Sequence, residues 1–257
     1  MSDSNNTISD NVCQATKFSN VTDLTKNLHI LPAFLQTKPT VSTLETALQL
    51  SDITVSTFAL GTDSKQPNGL LCPNGVLNAT RDRPTLYKWF DNTPNNLGIA
   101  CNNLPGFDLD IAKGKVDADI AFDDAMLLLN EAQELLDNGL CPFQLSWSGN
   151  RHLFYLLKPE LQECWNASTG LPITDYVNLD IRKGNTYIVG SPSKVIKGEK
   201  DLAYKMEYGY YHLVRPFERE SISFLPPTFE NVIWQTIAKK QAHTTPSQCR
   251  SVTRLWK

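Results

Sequence analysis

The sequence lacks the features of a secreted, membrane-bound or zinc-stabilised protein. Its six cysteines and four histidines are scattered along 257 residues, and no CxxC pair occurs. Because the ligands of a structural zinc ion usually come in close pairs, no such site is expected, and the cysteines should be reduced and partly buried. No apolar run is as long as a membrane span, and the N-terminal residues do not resemble a signal peptide. These absences predict a soluble, cytoplasmic protein without a membrane partner.

The sequence also lacks an excess of positive charge. The formal net charge is -3, and 41% hydrophobic with 20% charged residues is an ordinary composition for a globular protein. No global basic field indicates nucleic-acid binding, although a local basic groove would be sufficient for it. We expect a disordered leader at residues 1–12, one main domain at 13–225, and a C-terminal helix and tail at 226–257 that could begin a linker to a further module.

Helical and strand patterns are mixed along the chain. Ser42 and Glu45 have the spacing of a capping box before a short helix, and "RPTLYKWFDN" predicts another helix. The clearest helix is "AFDDAMLLLNEAQELLDNG", residues 121–139, whose apolar positions keep helical spacing. A last helix is predicted in "TFENVIWQTIAKK".

The strand candidates lie next to one another in the sequence. "CPFQLSWS" and "HLFYLL" flank Gly149 and Asn150, which predicts a hairpin. "LGIAC" with "GFDLDI", and "VNLDI" with "TYIVG", predict two further pairs of neighbouring strands joined by the turn-rich "NNLP" and "RKGN". Hairpin-connected strands mixed with helices predict an α+β fold with a mainly antiparallel sheet.

The segment "GFDLDI" carries two negative charges one residue apart. Side chains alternate along a strand, so Asp108 and Asp110 should share one face while Phe107, Leu109 and Ile111 occupy the other. Two like charges held this close require compensation. Solvent on an open sheet face would supply it, and so would a divalent metal ion.

Two further segments carry residues of complementary chemistry. His152 opens one predicted strand, and Asp180 lies near the end of another, followed closely by Arg182 and Lys183. If these strands are neighbours of "GFDLDI", three carboxylates, one histidine and two cations converge. Carboxylates bind hard ions such as Mg²⁺ or Mn²⁺, and two such ions about 4 Å apart can hold the attacking and leaving oxygens of a displacement at phosphorus. This set favours phosphoryl or nucleotidyl transfer.

In order and spacing, these stretches resemble the primase-polymerase (Prim-Pol) branch of the archaeo-eukaryotic primase superfamily, found in replication proteins of plasmids and phages. Its members carry an acidic hhDhD strand, a small-x-His motif, and a third aspartate in a stretch such as "D-h-R-G-x-G-x-Y-h-V-x-P-P-S". Here these read "FDLDI", "SGNRHLFYL" and "LDIRKGNTYIVGSPS". The resemblance covers roughly residues 80–195, and the upstream "SKQPNG" is loosely similar to the K-x-P loop of the family.

The resemblance implies an RRM-like palm built on an antiparallel sheet, and a DNA primase/polymerase acting through Mg²⁺ or Mn²⁺. Its substrates would be nucleoside triphosphates and a single-stranded DNA template, with a helicase module or protein as a further partner. The implied residues are Asp108, Asp110 and Asp180 as metal ligands, His152 as a phosphate contact, and Ser148, Asn150, Arg151, Arg182 and Lys183 as weaker nucleotide or template contacts.

The sequence departs from the family pattern at two positions. Asn150 stands two residues before the histidine, where the family usually has glycine or serine. Because asparagine tolerates left-handed backbone conformations, the turn is expected to survive. Ser191 replaces the first residue of the proline pair, which bears on the shape of that loop rather than on the metal site.

Two other functions are compatible with the same residues. A replication-initiator module could keep the fold and bind DNA without polymerising it, although three acids facing a phosphate backbone would repel it unless metal offsets their charge. A metal-dependent nuclease could use the carboxylates to activate water. For a DNA template, the candidates for a cationic groove wall are the basic residues Arg81, Arg83, Lys88, Lys194, Lys197 and Lys200.

Overall fold

The structure, a computed structural model, describes residues 31–102, 104–111, 141–164, 169–172, 177–198 and 206–227, and beyond those residues 230, 231, 233, 234 and 238. The predicted leader at 1–12, the predicted helix at 121–139 and most of the tail lie outside the described residues. In the region of the predicted C-terminal helix, the described residues from 227 to 238 are helical. No helix in the described part of the chain has the length and apolarity required to span a bilayer.

The described helices are short and the strands are more numerous. The helices are α1 (Leu31–Gln36), α2 (Thr43–Asp52), α3 (Arg83–Phe90) and α4 (Pro159–Cys164), with 3₁₀ turns at Gly75–Asn78 and Arg219–Ser221. The strands are β1 (Thr57–Leu60), β2 (Asn96–Ala100), β3 (Gly106–Ile111), β4 (Phe143–Leu145), β5 (Arg151–Phe154), β6 (Thr169–Pro172), β7 (Val177–Arg182), β8 (Tyr187–Gly190), β9 (Lys194–Ile196), β10 (Tyr208–Tyr210) and β11 (His212–Arg215).

The sequence signals for the two longest described helices are confirmed. The Ser42 side chain accepts a hydrogen bond from the Glu45 N–H, and the Glu45 carboxylate accepts one from the Ser42 N–H, so the predicted capping box begins α2. At α3 the Asp82 side chain caps the Thr85 N–H, and Pro84 lies in the first turn, where its missing N–H costs nothing.

Three antiparallel sheets organise the strands, which confirms the predicted α+β fold. Their strand orders are β1-β2-β8, β10-β9 and β11-β4-β5-β3-β7-β6. Across the middle of the six-stranded sheet the four central strands lie in the order β4-β5-β3-β7. If these four strands are numbered by their order in the chain, the spatial order is 2-3-1-4. That order, with all pairs antiparallel, is the one found in split βαβ units, to which the four-stranded RRM sheet also belongs.

The strand partners differ from those expected for two segments. "LGIAC" and "GFDLDI" do not pair with each other, and neither do "VNLDI" and "TYIVG"; instead β2 pairs with β8 and β3 pairs with β7. The two intervening loops continue this pairing, because the Cys101 N–H donates to the Thr186 carbonyl and the Gly184 N–H donates to the Cys101 carbonyl. The described residues of 97–111 and 177–190 therefore form one long antiparallel ribbon, which we call the crossing ribbon, that passes from the small sheet into the large one.

The two sheets share a core around the crossing ribbon. Phe58 on β1, Ile188 on β8 and Phe154 on β5 are buried in one hydrophobic cluster. At Gly106, where the ribbon enters the large sheet, a Cβ atom would overlap the end of the buried Ile188 side chain, so a larger residue here would require Ile188 to shift. The cysteines Cys72, Cys101 and Cys141 are free and buried, as the sequence predicts for this chain. Burial raises the pKa of Cys101 and of Cys141 to about 12, which keeps both thiols protonated at neutral pH.

His212 lies at the contact between β11 and α1. Its ring is 4.2 Å from the ring of Phe34, measured between centroids, and the residue is buried. Burial lowers the pKa of His212 from 6.5 to about 4, and backbone hydrogen bonds to Leu35 and Thr37 offset part of this effect. The folded protein therefore keeps His212 neutral at pH values where the unfolded chain binds a proton.

This difference predicts a loss of stability in acid. Between pH 6.5 and about 4 the unfolded state gains a proton that the folded state does not, so the free energy of unfolding should fall by up to about 3 kcal/mol from this group alone and then level off. Urea titrations of wild type and of His212→Gln at pH 7, 5 and 4 would measure it. We expect the stability difference between the two proteins to change with pH in that range; a constant difference would contradict the prediction.

Candidate active site

A row of polar residues crosses the four central strands of the six-stranded sheet. In the strand register Gln144 lies opposite His152, His152 opposite Asp108, and Asp108 opposite Asp180. Asp110 is two residues further along β3. Because directly opposed residues share a sheet face, and so do residues two apart on a strand, the register gathers the predicted histidine and all three predicted aspartate positions on one face.

The neighbouring row explains why the acidic segment alternates with apolar residues. Phe143, Leu153, Phe107 and Ile181 lie opposite one another in the same four strands, one residue out of phase with the polar row. All four are almost completely buried. The second face of the sheet is therefore part of the core, and the polar face is available for chemistry.

A cleft of about 480 Å³ opens over the polar row. Its lining includes five of the predicted site residues: Asp108, Ser148, Asn150, His152 and Arg182. The side chains of Asp110 and Asp180 lie outside the described part of the structure, and only their strand positions are given. The remaining walls come from the loop after β1, the turn between β7 and β8, β8 itself and the residue before β11.

Asp108 and His152 are in contact at the floor of the cleft. Oδ1 of Asp108 lies 3.2 Å from Nε2 of His152, and no hydrogen bond joins the two atoms. Oδ1 is thus a buried carboxylate oxygen with no hydrogen-bond donor among the described residues. An unsatisfied buried carboxylate oxygen is costly unless a cation or another donor compensates it, so Asp108 fits a ligand for a hard divalent ion.

No group of three metal-ligating side chains assembles within the residues whose side chains the structure describes. Two of the three predicted ligands, Asp110 and Asp180, fall outside that set.

Two predicted nucleotide contacts lie elsewhere. Arg151 is buried and sits one residue before His152 on β5, so strand alternation places it on the opposite face from the histidine. Its Nη1 is 3.5 Å from the Gly149 carbonyl, to which it donates. Lys183 follows β7, and its carbonyl accepts a hydrogen bond from the Thr186 hydroxyl at 3.0 Å. Neither residue lines the cleft.

The described cations of the cleft are Lys65 and Arg182. The Lys65 ammonium lies 5.2 Å from the centre of the Trp147 ring, a cation–π distance, and the Tyr187 hydroxyl donates to the Lys65 carbonyl at 3.0 Å. Lys65 belongs to the "SKQPNG" segment. In the sequence, only the loose similarity of this segment to the K-x-P loop of the family pointed to Lys65 as a site residue. The described lining therefore has two cations and one acid, Asp108. Because positive charge is in excess there, the described rim of the cleft is suited to an anionic ligand.

The aromatic lining residues were missed by the sequence analysis. Trp147 and Tyr211 are both buried in the cleft wall, and the Tyr211 ring is 5.7 Å from the His152 ring between centroids. Trp147 continues the apolar alternation of Phe143 and Leu145, and Tyr211 lies in the aromatic run "YGYYHLV"; both patterns are equally typical of a core, so nothing local marked either residue as part of a site.

The turn that carries the second motif keeps its shape without glycine at position 150. The Ser146 N–H donates to the Asn150 carbonyl at 2.7 Å and the Gly149 N–H donates to the Ser146 carbonyl at 2.9 Å. The left-handed residue of the turn is Gly149, with φ of +89°. The predicted hairpin between β4 and β5 is confirmed. The left-handed conformation considered for Asn150 is adopted by Gly149 instead.

Three of the basic residues proposed for a groove wall are paired with acids: Arg83 with Asp52 at 2.8 Å, Lys194 with Asp63 at 3.2 Å, and Lys197 with Glu207 at 3.7 Å. Arg81 and Lys88 are exposed, and Lys200 lies outside the described residues. None of the described five lines the cleft, and the three ion pairs reduce the positive field that those residues can supply.

The family described as bifunctional DNA primase/polymerase, N-terminal (Prim-Pol), matches residues 27–226, which include every described strand and every described residue of the cleft. No curated protein is significantly similar to the chain.

Proposed function

Because the chain belongs to the Prim-Pol family of bifunctional DNA primase/polymerases, we propose that it synthesises DNA or short primers on a single-stranded DNA template, with the cleft over the polar row as its active site. The observation that carries the proposal is Asp108. Its buried, unsatisfied Oδ1 lies in contact with His152 and in register with Asp180, inside a cleft whose described rim bears Lys65 and Arg182.

The proposed roles follow from position and charge. Asp108, Asp110 and Asp180 would hold Mg²⁺ or Mn²⁺, because carboxylate oxygens suit hard divalent ions. Such ions, when bound, stabilise the charge that develops on the attacking and leaving oxygens of nucleotidyl transfer. The Asp108 carboxylate would be a fixed oxygen ligand for the metal. The apolar row on the opposite face of the sheet keeps water away from that side of the strands.

The nucleotide would enter with its triphosphate toward the cationic rim. Nε2 of His152, 3.2 Å from Oδ1 of Asp108, would carry the ring proton and donate it to a hydrogen bond with a phosphate oxygen. Arg182 and Lys65 would attract and orient the phosphates, while Ser148 and Asn150 would contribute polar contacts from the turn before β5. Arg151 and Lys183 would act on the template or on the turns that carry them, since neither lines the cleft.

The proposal also covers the domain boundaries, the biological setting and the substrates. Residues 13–225 would form the catalytic domain, acting in plasmid or phage replication, with a helicase supplied by another module or protein. Residues 1–12 would be a disordered leader and residues 226–257 a helix and tail. Nucleoside triphosphates and single-stranded DNA would be the substrates, in keeping with the family.

A primer-free synthesis assay tests the proposal. Wild type and the Asp108→Ala/Asp110→Ala double variant would be incubated with single-stranded DNA, labelled nucleotides and Mg²⁺ or Mn²⁺. We expect short labelled products from wild type alone. DNA binding without products from either protein would support a non-catalytic initiator module, and metal-dependent shortening of the template would support a nuclease; either result overturns the proposal.

A further inference from the structure

Gln144 is a fully buried glutamine at the end of the polar row. It lies between Phe143 and Leu145 on β4, and its side chain reaches three partners. Its amide nitrogen is 2.7 Å from the Val189 carbonyl and 2.7 Å from Nδ1 of His152, and its amide oxygen accepts from the Ser191 N–H at 3.0 Å.

The two backbone partners fix which way the amide points. The Val189 carbonyl can only accept, so the nitrogen of Gln144 must face it, and the Ser191 N–H can only donate, so the oxygen must face that. The reverse orientation would place an oxygen against a carbonyl and an N–H against an N–H. The nitrogen that faces His152 therefore has one remaining proton, and it is directed at Nδ1.

We propose that Gln144 is a positioning residue that keeps His152 in the tautomer with its proton on Nε2. Because Gln144 donates to Nδ1, that ring nitrogen must present its lone pair, and the proton of the neutral ring lies on Nε2. The opposite tautomer would set two donors against each other at 2.7 Å. Nε2 is the nitrogen that faces Asp108 at 3.2 Å in the floor of the cleft.

This arrangement joins two of the motifs physically. Val189 and Ser191 belong to β8 and the loop after it, whereas His152 belongs to β5, and Gln144 is hydrogen-bonded to all three. The segment after the third aspartate thus sets the orientation of the histidine of the second motif. In the proposed reaction, on whose assignment this step rests, the Nε2 proton is the one donated to a triphosphate oxygen, and the opposite tautomer would present a lone pair at Nε2 instead.

Nitrogen NMR reads the tautomer directly. In uniformly ¹⁵N-labelled wild type at about pH 8, where an ordinary histidine is neutral, long-range ¹H–¹⁵N correlations distinguish protonated from unprotonated ring nitrogens. The His152 signals would be identified by their loss in His152→Gln. We expect a protonated Nε2 and an unprotonated Nδ1; a proton on Nδ1, or averaging between the two forms, would overturn the proposal.

Two variants of Gln144 test whether this residue is the cause. Gln144→Met keeps the side-chain length but cannot donate, so the two tautomers should become mixed. Gln144→Glu offers an acceptor to Nδ1, so the proton should move to that nitrogen; if it fails to fold, the methionine variant still decides. The exposed Gln49 gives a matched control, and Gln49→Met should leave the His152 signals unchanged. An unchanged tautomer in a folded Gln144→Met protein would overturn the assignment.

Kinetics connect the tautomer to nucleotide binding. In folded Gln144→Met we expect the apparent KM for nucleotide to rise about tenfold, as for one weakened hydrogen bond to a charged group, with a smaller change in kcat. A changed tautomer with an unchanged KM would overturn the link to the nucleotide. Absence of synthesis by wild type would instead overturn the proposed function, and it would leave the tautomer result standing.

Discussion

Asp108→Asn is expected to lower template-dependent nucleotide incorporation by about a thousandfold or more, which corresponds to several kcal/mol of lost transition-state stabilisation. Asparagine has almost the same shape as aspartate but carries no charge and offers one acceptor oxygen instead of two. It is therefore a poor ligand for a hard divalent ion. The assay is incorporation of labelled nucleotide on primed single-stranded DNA over a range of Mg²⁺ and Mn²⁺ concentrations.

The same substitution should leave the fold intact. Oδ1 of Asp108 accepts no hydrogen bond from the described residues, so little is lost in the absence of metal, and thermal unfolding should change by no more than a few degrees. Asp91→Asn, at an exposed aspartate outside the cleft, is the matched control and should keep full activity. Retention of more than about a tenth of wild-type activity by Asp108→Asn would show that Asp108 is not a metal ligand of the reaction.

His152→Ala is expected to weaken nucleotide binding more than it slows the chemical step. Removing a charge-assisted hydrogen bond should raise the apparent KM for nucleotide about 10- to 100-fold, with a change in kcat of only a few-fold. Steady-state kinetics with varied nucleotide at saturating template would separate the two constants. An unchanged KM would contradict the phosphate contact.

The histidine variant needs its own stability control, because His152 is buried and its loss leaves one Gln144 N–H without its partner. We expect this to lower the free energy of unfolding by about 1–3 kcal/mol. His212→Gln provides the matched comparison, since His212 is a buried histidine on another strand and does not line the cleft. It should leave the nucleotide KM unchanged at neutral pH.

The sequence predicted the local elements that depend on nearby residues. The capping box of Ser42 and Glu45, the helix with Pro84 in its first turn and the hairpin around Gly149 all rest on contacts within a few positions. The acidic segment was also readable, because the alternation of Asp108 and Asp110 with apolar residues directly reflects one polar and one buried sheet face.

The strand partners around the crossing ribbon were not readable in the same way. "NNLP" and "RKGN" are good turn sequences, but the strands on either side of them enter different sheets. A turn sequence can close a hairpin or connect strands of two different sheets. The outcome depends on which distant segment pairs and packs more favourably with each strand. That choice depends on long-range contacts such as Gly106 against Ile188, and loop-closure entropy opposes them only weakly.

Gln144 escaped prediction for a related reason. A single glutamine between Phe143 and Leu145 has the pattern of a residue on the solvent face of a strand. Its role depends on Val189 and Ser191, which lie more than forty residues away in sequence and approach it only because the two sheets meet there. Trp147 and Tyr211 are similar cases, since cleft walls and cores use the same aromatic residues.

The crossing ribbon also bears on how the protein emerges from the ribosome. Residues 97–111, which carry Asp108 and Asp110, are made well before residues 177–190, which carry Asp180 and one partner of Gln144, Val189. At about 5–20 residues per second, several seconds separate the two strands of the ribbon. The later segment then completes the three-stranded sheet and the polar row together, whereas β11, at the edge of the large sheet, is made after it. A nascent chain therefore holds Asp108 and Asp110 for some time before Asp180, which lies opposite Asp108 in the finished sheet, has been made.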